Sequence, residues 1–352
     1  MRPTRTLVRA IVPLALASVV LTGCGGGSKD SSSGDSTPTG GSSAPAAPAV
    51  PSTWPLTGLS APDGAAETKH SVYIAKIDNT YASKPQYGIG QADLVTQELV
   101  EGGITRLAVF FYSKLPEKAG PIRSMRLTDI GVAKPLGAKL VTSGAAPVTL
   151  QGLAKAGVKF IDMNNDNVKR VLDGSHDTLH SVQANLTGLA KSSQQKTATR
   201  PQDFFEWGKD ADFKGKGPAT TVNTRISNQS GSDDIWKYTA GKYVLANSYM
   251  DPASTYNPDT VIALTVKTSL APYRDPAGNP VPVTHFEGKG KGWIFHGGTF
   301  LPVTWTKDGV EGLPTFTAKD GSPVKVPAGH VWLALVPQGG DAVQAGSVTW
   351  SK

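Results

Sequence analysis

Val72-Tyr73-Ile74-Ala75-Lys76-Ile77, Ala92 to Leu99 and Thr105 to Tyr112 are three apolar, largely β-branched or aromatic runs with short polar or glycine-rich breaks between them. Runs of this length and composition read as strands. The next forty residues decide the fold class. Pro121 to Ala133 has the pattern of a helix with proline in its first turn, where the missing N–H is not needed. Lys139 to Thr142 reads as a short strand, Pro147 to Ala156 as a helix and Lys159 to Met163 as another strand. Alternating strand and helix predicts an α/β N-terminal domain with a mixed sheet, spanning residues 53–200.

After about Pro201 the pattern changes. Tyr243 to Ala246, Val261 to Val266, Gly292 to His296, Val303 to Thr306 and Val331 to Val336 are short apolar runs. Turn signals such as Lys307-Asp308-Gly309 and Lys319-Asp320-Gly321 divide them. This predicts a mainly antiparallel β C-terminal domain over residues 220–352. Gly288-Lys289-Gly290-Lys291-Gly292 lacks the Gly-Lys-Ser/Thr ending of a phosphate loop and reads as a flexible hairpin tip. Trp293, Trp305 and Trp332 fall in expected strands and read as core.

Upstream of both domains the chain carries an address. Arg2, Arg5 and Arg9 precede an apolar run from Ile11 to Leu21, then Leu21-Thr22-Gly23-Cys24. A basic start, an apolar stretch of about 7–15 residues and small residues before the cut define a secretory signal over residues 1–23. The run is too short to span a membrane, which takes about 20 residues. Small residues ahead of a cysteine match the bacterial lipobox, so Cys24 is the expected lipidation site. Residues 24–52 are rich in Gly, Ser, Pro and Ala and read as a disordered tether, since they offer too little apolar surface to offset ordering. The expected location is the extracytoplasmic face of the cell membrane, held by the lipid.

Cys24 is the only cysteine of the 352 residues. Once acylated, it leaves no thiol for a disulfide, a cysteine-ligated metal or a cysteine nucleophile. Three arginines lie in the signal, so cleavage lowers the formal net charge from +7 to +4. That mild excess suits anionic wall polymers or headgroups. Basic residues are scattered, and an exported protein meets little nucleic acid, so nucleic-acid binding is excluded.

Several further stretches resemble one family. They are Trp54-Pro55-Leu56-Thr57-Gly58-Leu59, Ile77-Asp78-Asn79, Lys84-Pro85-Gln86-Tyr87-Gly88-Ile89, Ala92-Asp93, Glu101-Gly102-Gly103-Ile104-Thr105-Arg106 and Gly120-Pro121-Ile122-Arg123-Ser124-Met125-Arg126. In this order they resemble the YerB-like bacterial lipoproteins. Gly292-Trp293 and Gly329-His330-Val331-Trp332 through Pro337 are similar to that family's second domain. Leu179-His180-Ser181 departs from the Pro-His-Asn the family tends to carry. The resemblance implies a two-part architecture and an envelope address, with no activity, substrate or cofactor attached.

The strongest candidate site is anionic in preference. A helix starting near Pro121 would aim unpaired N–H groups outward. Arg123 and Arg126, three apart, would share its face, with Ser124 between them and Arg106 on the preceding strand. Guanidinium forks grip carboxylate or phosphate in a bidentate manner. The competing reading is that these arginines pair with Asp78, Asp93, Glu98 or Glu101 and brace the sheet. Asp78, Asn79, Gln86, Asp93 and Glu101 form a candidate crevice where the first strand ends; an Asx-turn is the alternative for Asp78 and Asn79.

No catalytic set is assigned. Glu98 and Glu101 invite a glycosidase reading, but positions three apart on a strand face opposite ways unless Gly102-Gly103 bends the chain. His176 and His180 lack the glutamate of a zinc helix, and Asp162 to Asp173 lacks the glycine and glutamate of a calcium loop. Ser143-Gly144 lacks the nucleophile-elbow pattern. No metal or cofactor is expected.

The residues therefore point to a non-enzymatic binding or accessory protein of the envelope. Its expected partners are the membrane, through the anchor, and a cell-wall polymer, lipid headgroup or envelope protein. The alternatives are a carboxylate-dependent envelope hydrolase and a structural partner of another envelope protein.

Overall fold

β1 (Tyr73–Asn79), β2 (Leu94–Leu99) and β3 (Thr105–Phe111) form where the apolar runs place them. The computed structural model describes residues 50–228, 233–340 and 343–352; the signal (1–23), Cys24 and the tether up to residue 49 lie outside the described residues. Every residue of the three strands is buried, so both faces are covered, which is the setting that near-continuous apolar runs suit. β3 lies between β2 and β1, antiparallel to each.

The chain continues through α1 (Asp129–Ala133), β4 (Lys139–Val141), α2 (Pro147–Lys155) and β5 (Lys159–Ile161). β4 runs parallel to β1 and β5 parallel to β4. A parallel step needs a crossover, and α2 supplies it. β6 (Val168–Arg170) and β7 (Val182–Ala184) pair with each other, and α3 (Leu186–Ser192) comes next.

The helix expected over Pro121 to Ala133 is mostly absent: only Asp129–Ala133 is α-helical. Upstream, the backbone of Asp78 donates to the Pro121 carbonyl at 3.0 Å. Ile122 N–H reaches the Val182 carbonyl at 2.7 Å, and Arg123 N–H reaches the Lys76 carbonyl at 2.8 Å. These bonds to β1 and β7 satisfy the groups a helix would pair internally, so tertiary pairing overrides local preference.

Among the described residues beyond 200, the regular structure is strand apart from one short 3-10 turn at Asp210–Asp212. β8 (Trp207–Gly208), β9 (Gly217–Pro218), β10 (Thr221–Arg225), β11 (Asp233–Thr239) and β12 (Lys242–Leu245) lead into the long β13 (Thr260–Arg274). β14 (Pro280–His285), β15 (Gly288–His296), β16 (Thr299–Lys307), β17 (Thr315–Thr317), β18 (Val326–Pro327), β19 (Val331–Pro337) and β20 (Ser347–Ser351) complete it.

Among the described residues, one twelve-stranded sheet runs β17-β16-β15-β13-β19-β2-β3-β1-β4-β5, with β14 beside β13 and β9 beside β16. β19 is parallel to both β13 and β2, so a single mixed sheet crosses the two halves of the chain. The architecture is mainly β, and β4-α2-β5 is its α/β element. A second sheet, β12-β11-β10-β20, shares a core cluster with β13 and β19. Trp236 meets Trp332 there edge-on, ring centroids 5.0 Å apart.

Gly288 to Gly292 is not a hairpin tip. It is the first half of β15, paired with β16 throughout. A Cβ on Gly290 would stand 2.5 Å from the Thr265 carbonyl and 2.6 Å from the Trp305 indole nitrogen. Glycine here leaves space for an indole. Among the described residues, no helix is long and apolar enough to cross a membrane.

Candidate functional site

Alternation along β1 puts Lys76 and Asp78 on one face, the face that also carries Ile74. On β3, Arg106 lies opposite Asp78 on one side and opposite Glu98 of β2 on the other. Three buried strands thus carry Asp78, Arg106 and Glu98 in one row, with Lys76 one step along. Charges inside so apolar a sheet persist only when they are paired.

The pairing is extensive. Lys76 Nζ donates to Asp129 Oδ1 at 2.6 Å and contacts Glu98 Oε1 more closely still. Lys76, Glu98 and Asp129 are fully or almost fully buried. Asp129 also accepts from Arg126 N–H at 2.7 Å. Arg126 grips Glu101 with both its Nε, at 2.8 Å, and its Nη2. Asp78 sits between two guanidiniums, 3.2 Å from Arg123 Nε and 3.9 Å from Arg106 Nη2. Arg106 Nη1 donates to the Ser124 carbonyl at 3.1 Å.

The expected residues Arg106, Arg123, Ser124 and Arg126 are therefore brought together, but not on a helix face. Arg123 and Ser124 lie on the extended segment beside β1, and Arg126 at the approach to α1. Arg123 is the most exposed of the charged members, at 27 %, and its Nη1 donates to the Leu179 carbonyl at 2.8 Å. Ser124 is half-buried. Nearby, Ser143 N–H donates to the Arg123 carbonyl and Met125 N–H to the Gly144 carbonyl, both at 3.1 Å. That loop leads into α2, whose first turn has no side-chain cap.

The electrostatics are not balanced in every state. Burial, then repulsion from Asp129, lifts the Glu98 carboxyl to about 7 against the pull of Lys76. Among the described residues, Glu98 Oε2 and Arg106 Nε are both buried without a hydrogen-bond partner. Burial, with Arg126 nearby, lowers Arg106 to about 10, so it stays charged at neutral pH. With Glu98 ionised, Lys76, Arg106, Arg123 and Arg126 face Asp78, Glu98, Glu101 and Asp129. With Glu98 protonated the cluster holds one uncompensated positive charge.

The crevice residues do not share one crevice. Asp78 and Asn79 are consecutive on β1 and face opposite ways. Asp78 Oδ1 accepts from Thr80 N–H at 2.9 Å and from its hydroxyl at 2.6 Å, the Asx-type turn that ends the strand. Behind the sheet, Asn79 donates to Thr105 Oγ1 at 2.8 Å, and Gln86 donates to Asn79 Oδ1 at 3.0 Å. Gln97 joins Thr105 to a buried Asp234 at 3.2 and 3.3 Å. Asp93 stands at the opposite end of β2 from Glu98, accepting from Tyr112 N–H at 2.6 Å and Ser113 N–H at 3.0 Å. Gly102 and Gly103, at φ 69° and 73°, do turn the chain, yet Glu98 and Glu101 each face their own cation.

Lys76 and Asp129 are the members that pattern reading passes over. A lysine inside an apolar strand flanked by buried residues was the available signal for Lys76. Nothing in the local sequence marks Asp129. His176 and His180 part company, one bonding the Ser83 carbonyl at 3.0 Å and the other Asp177 at 2.9 Å.

Comparison with known proteins bears on the whole chain. A relative named "Putative lipoprotein YerB", from Bacillus subtilis (strain 168), is 24% identical over 310 residues, covering 80% of this chain and 86% of the relative. The crystal structure of YerB protein from Bacillus subtilis has a TM-score of 0.67 at 20% identity, covering 84% of this chain and 99% of that one; the likeness is one of fold. The family described as "Protein of unknown function (DUF3048)" matches with its N-terminal domain over residues 56–199 and its C-terminal domain over residues 222–333. With both of its domains present in order, this chain belongs to the DUF3048 family.

Proposed function

We propose that this protein is a membrane-anchored, extracytoplasmic lipoprotein that binds rather than catalyses, and that it recognises an anionic group at the rim of the arginine cluster. The anchor rests on the signal-and-cysteine pattern ending at Cys24, and the lipoprotein name of the Bacillus subtilis relative supports it. The observation that carries the binding reading is the under-satisfied core cation. Among the described residues, Arg106 is buried with Nε unpaired, and its nearest ion-pair oxygen is Asp78 Oδ2 at 3.9 Å. An incoming anion would meet Arg123 and Ser124 first, beside the uncapped start of α2, where helix dipole and N–H groups favour negative charge. It would relieve the positive excess that appears when Glu98 is protonated.

The test is a melting screen of the purified chain against phosphate, phosphorylated wall polymers and dicarboxylates, run beside Arg123→Gln. A ligand at about a hundred times its dissociation constant adds roughly 2.7 kcal/mol to stability. The reading predicts such a rise for a multivalent anion in the parent and its loss in the variant. Absence of a rise with every anion would remove the binding role from this cluster.

A further inference from the structure

At the far edge of the large sheet, away from the arginine cluster, lies a groove of about 930 Å³. Its apolar surfaces are Phe213, Leu301, Pro302, Ala318, Pro323 and Val324. Leu301, on β16, belongs to the buried core cluster, and Phe213 and Val324 pack against that cluster. The floor of the groove is thus continuous with the core. Its rim carries Lys214, Lys216, Lys319 and Lys325, all exposed.

Two acids share the rim, and both are engaged. Asp320 accepts from Ser322 N–H at 3.0 Å and from its hydroxyl at 2.6 Å, closing its own turn. Asp212 accepts from Lys209 N–H at 3.2 Å. Among the described residues, none of the four lysines lies within ion-pair distance of a carboxylate; Lys214 donates to the Ala211 carbonyl at 2.8 Å. Four cations against two committed acids leave a positive rim around an apolar trough. Lysines are point charges that suit phosphate without a fixed fork geometry. Trough and rim together match a ligand with an anionic head and a slender apolar tail.

We infer that this groove binds the acyl chain of an anionic phospholipid, with its phosphate held by Lys214, Lys216, Lys319 and Lys325. Binding here is separate from the arginine-cluster reading, because β15, β13 and β19 stand between β16 and β2 in the sheet.

The experiment titrates the complete chain carrying Cys24→Ser with single-chain lysophosphatidylglycerol and, in parallel, lysophosphatidylcholine, both below their micelle concentrations, by calorimetry. Lysophosphatidylglycerol should bind at least roughly tenfold more tightly, since each basic residue near an anionic lipid contributes a several-fold gain. Replacing the four lysines with glutamine should abolish that preference. Ala318→Trp, which fills the trough and leaves every charge in place, should abolish binding of both lipids; its unchanged melting temperature would verify the fold. Equal affinity for the two lipids would overturn the headgroup assignment. Undiminished binding by Ala318→Trp would overturn the groove itself, leaving adsorption to exposed lysines or to the N-terminal segment.

Discussion

Lys76 has the most to lose of any single residue in the cluster. Its ammonium is the shared partner of Glu98 and Asp129 inside a strand buried on both faces. Replacement by methionine keeps the shape and strands two acids, and breaking a buried pair in this way costs about 3–5 kcal/mol. A urea melt of Lys76→Met should show a loss of that order; a loss below about 1 kcal/mol would mean the acids find water or take up protons at little cost. Asp234 gives the complementary case. Burial raises its carboxyl to about 8, and among the described residues its Oδ2 has no hydrogen-bond partner. The folded state therefore holds a proton that the unfolded chain releases near pH 4, so this group's contribution falls as pH climbs from about 4 to about 8. Asp234→Asn should melt higher than the parent by a margin that widens over that interval; a margin constant with pH would contradict the buried, proton-holding carboxyl. Asp259 runs the other way. Hydrogen bonds from His330 and Lys242 outweigh burial and hold it near 2, so its contribution is present above about pH 4 and fades as pH drops toward 2. Among single residues, the arginines are marked in the sequence by their spacing, Arg123 and Arg126 standing three apart. Lys76, Gln97 and Asp234 are poorly marked, because their roles depend on distant partners: Lys76 on Glu98, 22 residues away, and Gln97 on Asp234, 137 residues away.

Elements were legible where burial is two-sided. β1, β2, β3 and β19 are largely apolar runs, buried along their whole length. Two segments misled for opposite reasons. Pro121 to Leu127 has local features of a helix start, yet its backbone groups bond β1 and β7, a long-range fact absent from the local pattern. Gly288 to Gly292 looks like a turn, yet Gly290 and Gly292 are extended positions over which Trp305 and Leu264 lie. Side-chain crowding on a neighbouring strand, rather than a positive φ, selects those glycines. Gly290→Val should push the Trp305 indole off its bond to the Thr265 carbonyl, 3.0 Å in the parent. Overpacking of this kind costs about 1–3 kcal/mol. A drop in melting temperature with altered tryptophan emission is the expected result, and an unchanged melt would show that β15 relaxes freely around the added side chain.

The whole molecule is organised by β19. Composition separates an alternating N-terminal half from a strand-rich C-terminal half, and the family's two domains divide at a similar place. The parallel pairing of Val331 to Ala334 with Leu94 to Gln97 joins those halves in one sheet, and the compact unit runs from Ala49 to Lys352. A junction between strands 237 residues apart, such as Leu94 and Val331, leaves no local trace in either strand. Thermal unfolding should accordingly be one cooperative transition seen alike by far-ultraviolet dichroism and tryptophan emission. Two separated transitions would mean that the halves keep independent cores.

If the arginine cluster accepts an anion when Glu98 carries a proton, binding must depend on pH in a definite direction. Calorimetric titration with sulfate reads that dependence, since sulfate keeps its charge across the relevant range. Protonating Glu98 below about 7 adds one positive charge to the cluster, so sulfate should bind the parent several-fold more tightly near pH 6 than near pH 8. The same titration of Glu98→Gln should give one affinity at both values. No binding at either pH, or a pH dependence that survives in Glu98→Gln, would contradict anion binding here and leave these residues as the ion-paired brace of the sheet.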